Sequence, residues 1–312
     1  MIIRRSRLLA SAMCAALAAI SVASGAASGQ TPDWSPIDSI IGRAGAAQAG
    51  GVRRFNFPRS DLQVVVDGVT LSPAFALGGW IAFSGTPSNA MAMGDLVLTG
   101  DEVNPVITAL QAGGVEQTAI HHHVLRESPH VYYMHVSARG DARKIAAAVR
   151  AAVAQTKIPA AGGARPAPSG SGSAGTGAEL SMDTAGVGAA LGRTGRFNGS
   201  IFQVSVPRAE TIRDGSMVIP PAMGISTAIN FQPTGGGHAA ITGDFVLLGS
   251  EVNPVIRALR THGIEVTSVH NHMLNDEPRL FFLHFWANAD AVTLAKGLRA
   301  ALDATNSRRA ER

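Results

Sequence analysis

The chain has 312 residues, of which 46% are apolar and only 15% charged, enough for about two domains with buried cores. Its formal net charge of +4 comes without a basic stripe interleaved with aromatics, which argues against nucleic acid as a partner. Cys14 is the only cysteine and falls near the N-terminus, so a mature chain would carry no disulfide framework, thiolate metal site or cysteine nucleophile.

Residues 1–29 read as a signal peptide. Arg4, Arg5 and Arg7 precede an apolar run over 8–23, and small residues follow over 24–29. An uncleaved anchor is the alternative. Cleavage near residue 29 predicts a periplasmic or secreted protein with no transmembrane segment after processing, exported by either the general or the twin-arginine route. Cys14 lies too early, behind Met13, for a lipoprotein cleavage box.

Residues 34–156 and 179–306 read as two copies of one domain, joined by a flexible Pro/Gly/Ser/Ala-rich linker over 157–178. In the first copy, residues 37–47 have helical spacing, 62–66 read as a strand and Asp67-Gly68 as a tight turn. Two further strands are expected over 79–84 and 91–99. The turn between them differs in the second copy, where Gly235-Gly236-Gly237 suits a hairpin better than a phosphate cradle, since no P-loop lysine follows.

Asn104-Pro105 reads as the start of a helix that Gly113-Gly114 ends. A strand over 115–124, a turn at Ser128-Pro129, a strand over 131–138 and an Ala-rich helix after Asp141 complete the unit. Each copy thus ends strand-helix-strand-strand-helix. The fold class expected is α+β: two tandem repeats, each a mixed or antiparallel sheet ending in a ferredoxin-like β-α-β-β-α unit. The first and second strands of that unit are expected to be a parallel pair.

Residues 94–156 and 243–305 align without a gap, and the alignment superposes His121 on His270, His123 on His272, and His135 on His284. Residues two apart in a strand share a face, and the hairpin return brings the third histidine to the same side. Three neutral imidazoles converging in each repeat would suit a divalent transition metal, zinc first. Glu251, at the neighbouring helix start, and Glu277 are the candidate catalytic carboxylates. A strand histidine can instead be structural, bonded to a carbonyl, but neighbouring residues differ between the copies while all three histidines recur. The second copy, with Phe282 and Trp286 beside His284, is expected to be the drier site. Spacing from His-x-His to Glu277 and to Glu127 is cupin-like, yet cupins lack the helices that bracket it here. Arg279 stands opposite His130 in the alignment.

The runs EVNPVIRALRTHGIEVTSVHNHML and PRLFFLHFWANADAV, with their first-copy counterparts, resemble DUF1259, a family of exported bacterial proteins of unknown function that includes mycobacterial lipoproteins. The resemblance implies an envelope or exported location and a tandem-repeat body, and no activity. The residues leave three readings: a catalytic metal site, a metal carrier, or a non-catalytic module that binds a small molecule or a cell-envelope component such as a glycan, peptide or protein.

Overall fold

A computed structural model describes residues 32–160 and 182–308. The expected signal peptide, most of the expected linker and the last four residues lie outside the described residues. Within them the first repeat comprises α1 (Ser35–Ile41), β1 (Ala46–Gln48), β2 (Val52–Pro58), β3 (Val65–Val66), β4 (Val69–Thr70), β5 (Gly78–Thr86), β6 (Asn89–Leu98), α2 (Gly100–Ala112), β7 (Glu116–His121), β8 (Tyr132–Gly140) and α3 (Ala142–Val153). The second comprises α4 (Thr184–Leu191), β9 (Arg196–Asn198), β10 (Ile201–Pro207), β11 (Arg213–Asp214), β12 (Met217–Val218), β13 (Ser226–Gly235), β14 (His238–Leu248), α5 (Gly249–Thr261), β15 (Glu265–His270), β16 (Asp276–Glu277), β17 (Leu280–Asp290) and α6 (Ala291–Leu302).

Each repeat builds a six-stranded sheet, ordered β1-β2-β5-β6-β8-β7 in the first and β9-β10-β13-β14-β17-β15 in the second. The architecture is α+β, as the sequence indicates. One detail differs. β6 and β7 run parallel but are not neighbours, because β8 inserts between them and pairs antiparallel with both. β8 is thereby paired along both edges, and Tyr133, Met134, His135 and Val136 are buried in succession on its two faces.

Helix starts are earlier than the Asn-Pro signal suggested. α2 begins at Gly100, where Glu102 reaches back to the Thr99 amide in a capping box, and Pro105 lies inside the helix. The carbonyl this leaves without a donor belongs to Asp101, an exposed residue of the first turn, so the cost is small. α1 stops at Ile41, short of the expected span, because Gly42 takes a left-handed cap at φ 78°. Gly236 and Gly237 both have positive φ, 59° and 81°, as a two-residue hairpin requires. Residues 157–159, assigned to the linker from sequence, pack on the first repeat: the Lys157 amide donates to Glu102, Ile158 is buried, and the Pro159 carbonyl accepts from Arg43.

Alternation within the strands explains the layers. In β6, Ala92, Leu96 and Leu98 pack with Val106, Leu110, Ile145 and Val149 of the helices. The intervening Met91, Met93 and Val97 face the second repeat. Met91 and Met93 join Val246, Met273, Leu280 and Phe282, while Val97 and Tyr133 join Ala240 and Trp286. The two sheets therefore meet across a shared apolar interface with helices on the outer faces. Polar contacts tie the seam as well: Trp286 Nε1 donates to Asp67 at 3.0 Å, and Gln232 bonds both the Ser72 amide and the Thr70 carbonyl.

Candidate metal centre

The strand register sets the histidines on the inner faces. His270 stands opposite Phe282 and His284 opposite Ser268, so His270 and His284 share a face as diagonal neighbours. His121 and His135 are arranged alike, opposite Tyr133 and Ala119. His123 and His272 lie just beyond the strand ends, not within the strands as the sequence suggested, but turn the same way.

The arrangement joins what the sequence separates. The six histidines form one cluster at the seam. His121 stacks on His270 with ring centroids 3.7 Å apart, His135 on His272 at 3.7 Å, and His123 lies 3.8 Å from His284. Three sets bring their ligand atoms within 4.8 Å of one another: His121 with His123 and His135, His121 with His270 and His284, and His135 with His270 and His272. Two of the three mix the repeats. A contact of 3.3 Å between ring nitrogens, from His121 Nε2 to His284 Nε2, crosses the boundary.

Two carboxylates that the sequence reading passed over complete the cluster. Asp95 stands opposite His135 in β6–β8, and Asp244 opposite His284 in β14–β17. His272 Nε2 lies 3.0 Å from Asp244 and His123 Nε2 3.5 Å from Asp95, though neither pair is aligned as a hydrogen bond. The available signal was the Gly-Asp pair, Gly94-Asp95 and Gly243-Asp244, repeated inside apolar strands. Glycine is needed there because a Cβ would strike the backbone carbonyl of Trp80 or Ala228 on the neighbouring strand.

Those glycines also orient the imidazoles. His135 Nδ1 donates to the Gly94 carbonyl at 3.3 Å, and His284 Nδ1 to the Gly243 carbonyl at 2.6 Å. His272 Nδ1 donates to the Gly224 carbonyl at 3.2 Å. A carbonyl only accepts, so each Nδ1 carries the proton and each Nε2 presents a lone pair. The Nε2 atoms of His123, His135 and His272, Nδ1 of His121, both ring nitrogens of His270, and one oxygen each of Asp95 and Asp244 are buried without a hydrogen-bond partner. So many orphaned polar atoms at one place would be costly unless something binds them.

Burial, and secondarily the other imidazoles, pushes His121 down to about 2 and holds His123, His135 and His270 far below the ordinary value of 6.5. Burial lowers His284 as well. Burial first, then the facing Asp244, drives the Asp95 carboxyl well above its usual range. Neutral imidazoles are the ligating form. Four-coordinate zinc with bonds of 2.0–2.1 Å separates its ligand nitrogens by about 3.3 Å, the spacing of the His121–His284 pair.

Aromatic walls enclose both ends. Phe282 stacks on His272 at 3.4 Å and Tyr133 on His123 at 3.3 Å. The first copy is closed by an aromatic wall as the second is: Tyr133 is 1% exposed, and its hydroxyl donates to the Ala76 carbonyl at 2.8 Å. The expected contrast between a dry and a wet copy narrows to His123, whose side chain is 14% exposed against 5% for His272, because the copies share one interior.

Glu251 and Glu277 take no part in the cluster. Glu251 accepts from Arg208, from the Leu248 amide and from the Asn306 amide, locking the start of α5. The equivalent Glu102 pairs with Arg59. Glu277 is exposed in β16, where it pairs with Arg213.

Fold and site together define a tandem-repeat α+β protein whose two copies share one histidine-rich interior. The chain belongs to the family described as Domain of Unknown Function (DUF1259), which matches residues 35–155 and 185–304. No curated protein matches it. Among solved structures, it is similar to the trimeric bacterial microcompartment shell protein PduB, with 13% identity over 84% of this chain and 89% of that one and a TM-score of 0.20. EtuB from Clostridium kluyveri gives 10% identity over 83% and 90%, with a TM-score of 0.18. Superposition at these scores does not define a common architecture.

Proposed function

We propose that the chain is an exported metal-binding protein in which His121, His123, His135, His270, His272 and His284, with Asp95 and Asp244, hold a divalent transition metal between the repeats. The observation that carries this reading is the 3.3 Å approach of His121 Nε2 to His284 Nε2 among buried, unpartnered ring nitrogens. An imidazole-rich set with two carboxylates suits zinc best, because zinc accepts mixed N and O ligands without a strong geometric demand. Bound there, the metal would act as a Lewis acid toward water or a carbonyl. The chain's own contribution would be to orient Nε2 of His135, His272 and His284 through backbone carbonyls and to exclude water with Tyr133 and Phe282. Export is supported by the order of charged, apolar and small residues at the N-terminus. No helix among the described residues is long and apolar enough to cross a membrane.

The test is metal analysis of the mature chain, purified without a histidine tag, together with His121→Ala and His284→Ala. A shared centre predicts that either variant empties it and that the double variant loses no more metal than either single one. Independent sites in each repeat would make the two losses additive, and metal-free unaltered protein after zinc reconstitution would end the reading.

A further inference from the structure

The first repeat carries another group of donors outside the central cluster. His122, Glu127 and His130 bring one ligand atom each within 4.8 Å of one another. Glu127 Oε1 lies 2.9 Å from His122 Nδ1 and 3.5 Å from His130 Nδ1. The Glu127 side chain is 1% exposed, while those of His122 and His130 are 38% and 70% exposed. A buried carboxylate is thus roofed by two imidazoles that reach water. Its loop is held in place, since Val65 and Ser128 exchange backbone hydrogen bonds of 2.9 Å.

The second repeat meets the same requirement differently. Asp276 aligns with Glu127, and its side chain is also 1% exposed. Arg279 replaces His130, with Nη1 3.3 Å from Asp276 Oδ1. Asn271 replaces His122 and turns inward to the Thr118 carbonyl at 2.8 Å. A buried carboxylate needs a cation beside it. The guanidinium is permanently charged, whereas an imidazole near neutral pH need not be. Where one repeat supplies a fixed cation, the other supplies two nitrogen ligands.

We propose that His122, Glu127 and His130 form a second, surface-facing site for a divalent transition-metal ion such as zinc, independent of the central histidines. Two imidazoles and one carboxylate leave a coordination position to water, so the ion exchanges readily. Ligation through His122 Nδ1 takes the tautomer protonated at Nε2, so the Nδ1 contacts to Glu127 Oε1 and the Val131 carbonyl, each at 2.9 Å, give way to the ion.

Zinc titration of the full chain against a chromophoric chelator tests the assignment. His130→Arg copies the arrangement of the second repeat, so it should keep the fold and the central metal while losing one bound ion per chain. Glu127→Gln and His122→Asn should lose the same ion and serve if His130→Arg folds poorly. In a His121→Ala background the surface ion should persist, which separates this assignment from that of the central site. Equal zinc binding by His130→Arg and the unaltered chain, or no exchangeable ion beyond the central population, overturns it.

Discussion

The hydroxyl of Thr118 donates a 2.7 Å hydrogen bond to the backbone carbonyl of His272, in the other repeat. The relationship is reciprocal: Thr267 donates at 2.6 Å to the carbonyl of His123. Both threonines sit where the strand register shifts, between Gln117 and Ala119 and between Val266 and Ser268. A bulge frees one residue from the ladder and re-aims its side chain. Here it points each threonine across the seam, onto the loop that carries a histidine of the opposite copy.

Replacing Thr118 by Val should leave the His272 carbonyl unpaired in a buried setting and destabilise the chain by about 1–3 kcal/mol. Thr118→Ser should restore most of that loss. Urea unfolding of both variants checks it; equal stability of Thr118→Val and the unaltered chain would remove the clasp from the account.

Removal of one partner from the Arg208–Glu251 pair should be more damaging. Arg208 is 3% exposed and is held by Glu251 and Glu210, so Glu251→Gln should cost about 3–5 kcal/mol. Central metal content at a temperature where the variant is folded should be unchanged. If stability holds while metal is lost, Glu251 belongs to the site.

Acid should unfold the metal-stripped chain early. His121, His123, His135, His270 and His284 all have folded pKa values below the ordinary 6.5. Below pH 6.5 the unfolded chain takes up protons on them that the folded chain refuses, so stability is complete above that pH and falls as pH drops. Each withheld proton contributes about 1.4 kcal/mol per pH unit. Asp95 and Asp276, both raised in the fold, work in the opposite sense but are two groups against five. Unfolding free energy in chelator that is flat between pH 7.5 and 5 would contradict this.

Cleavage within residues 161–181 should leave one particle. The repeats share two apolar clusters, so the nicked halves should co-elute on size exclusion and separate only in denaturant. An isolated first repeat would expose Met91, Met93, Val97 and Tyr133 together and should self-associate. Separation of the nicked halves in native buffer would show that the seam is weak.

Much of this was legible locally. The gapless repeat gave both domains, the strand-helix-strand-strand-helix order gave the α+β class, and His-x-His with a hairpin return put three imidazoles on one face. Docking of the copies was not legible, because no periodicity within a repeat records which foreign surface its inner face will meet. Asp95 and Asp244 were hidden by their apolar strands, where a single acidic residue looks like a register fault. Glu251 was misleading for the opposite reason: a carboxylate at a helix start is visible in sequence, but Arg208, which claims it, is remote along the chain.

The seam also differs from the interface of a symmetric dimer in what it permits. When two identical subunits meet across a two-fold axis, every substitution appears on both sides at once. Here both sides belong to one polypeptide, and each can change alone. Tyr133 corresponds to Phe282, Ser137 to Trp286, and Arg54, seated over Trp80 at 4.0 Å, to Gln203. The surroundings of the paired histidines are therefore unequal, so a small molecule approaching from one end would meet a different wall from one approaching at the other.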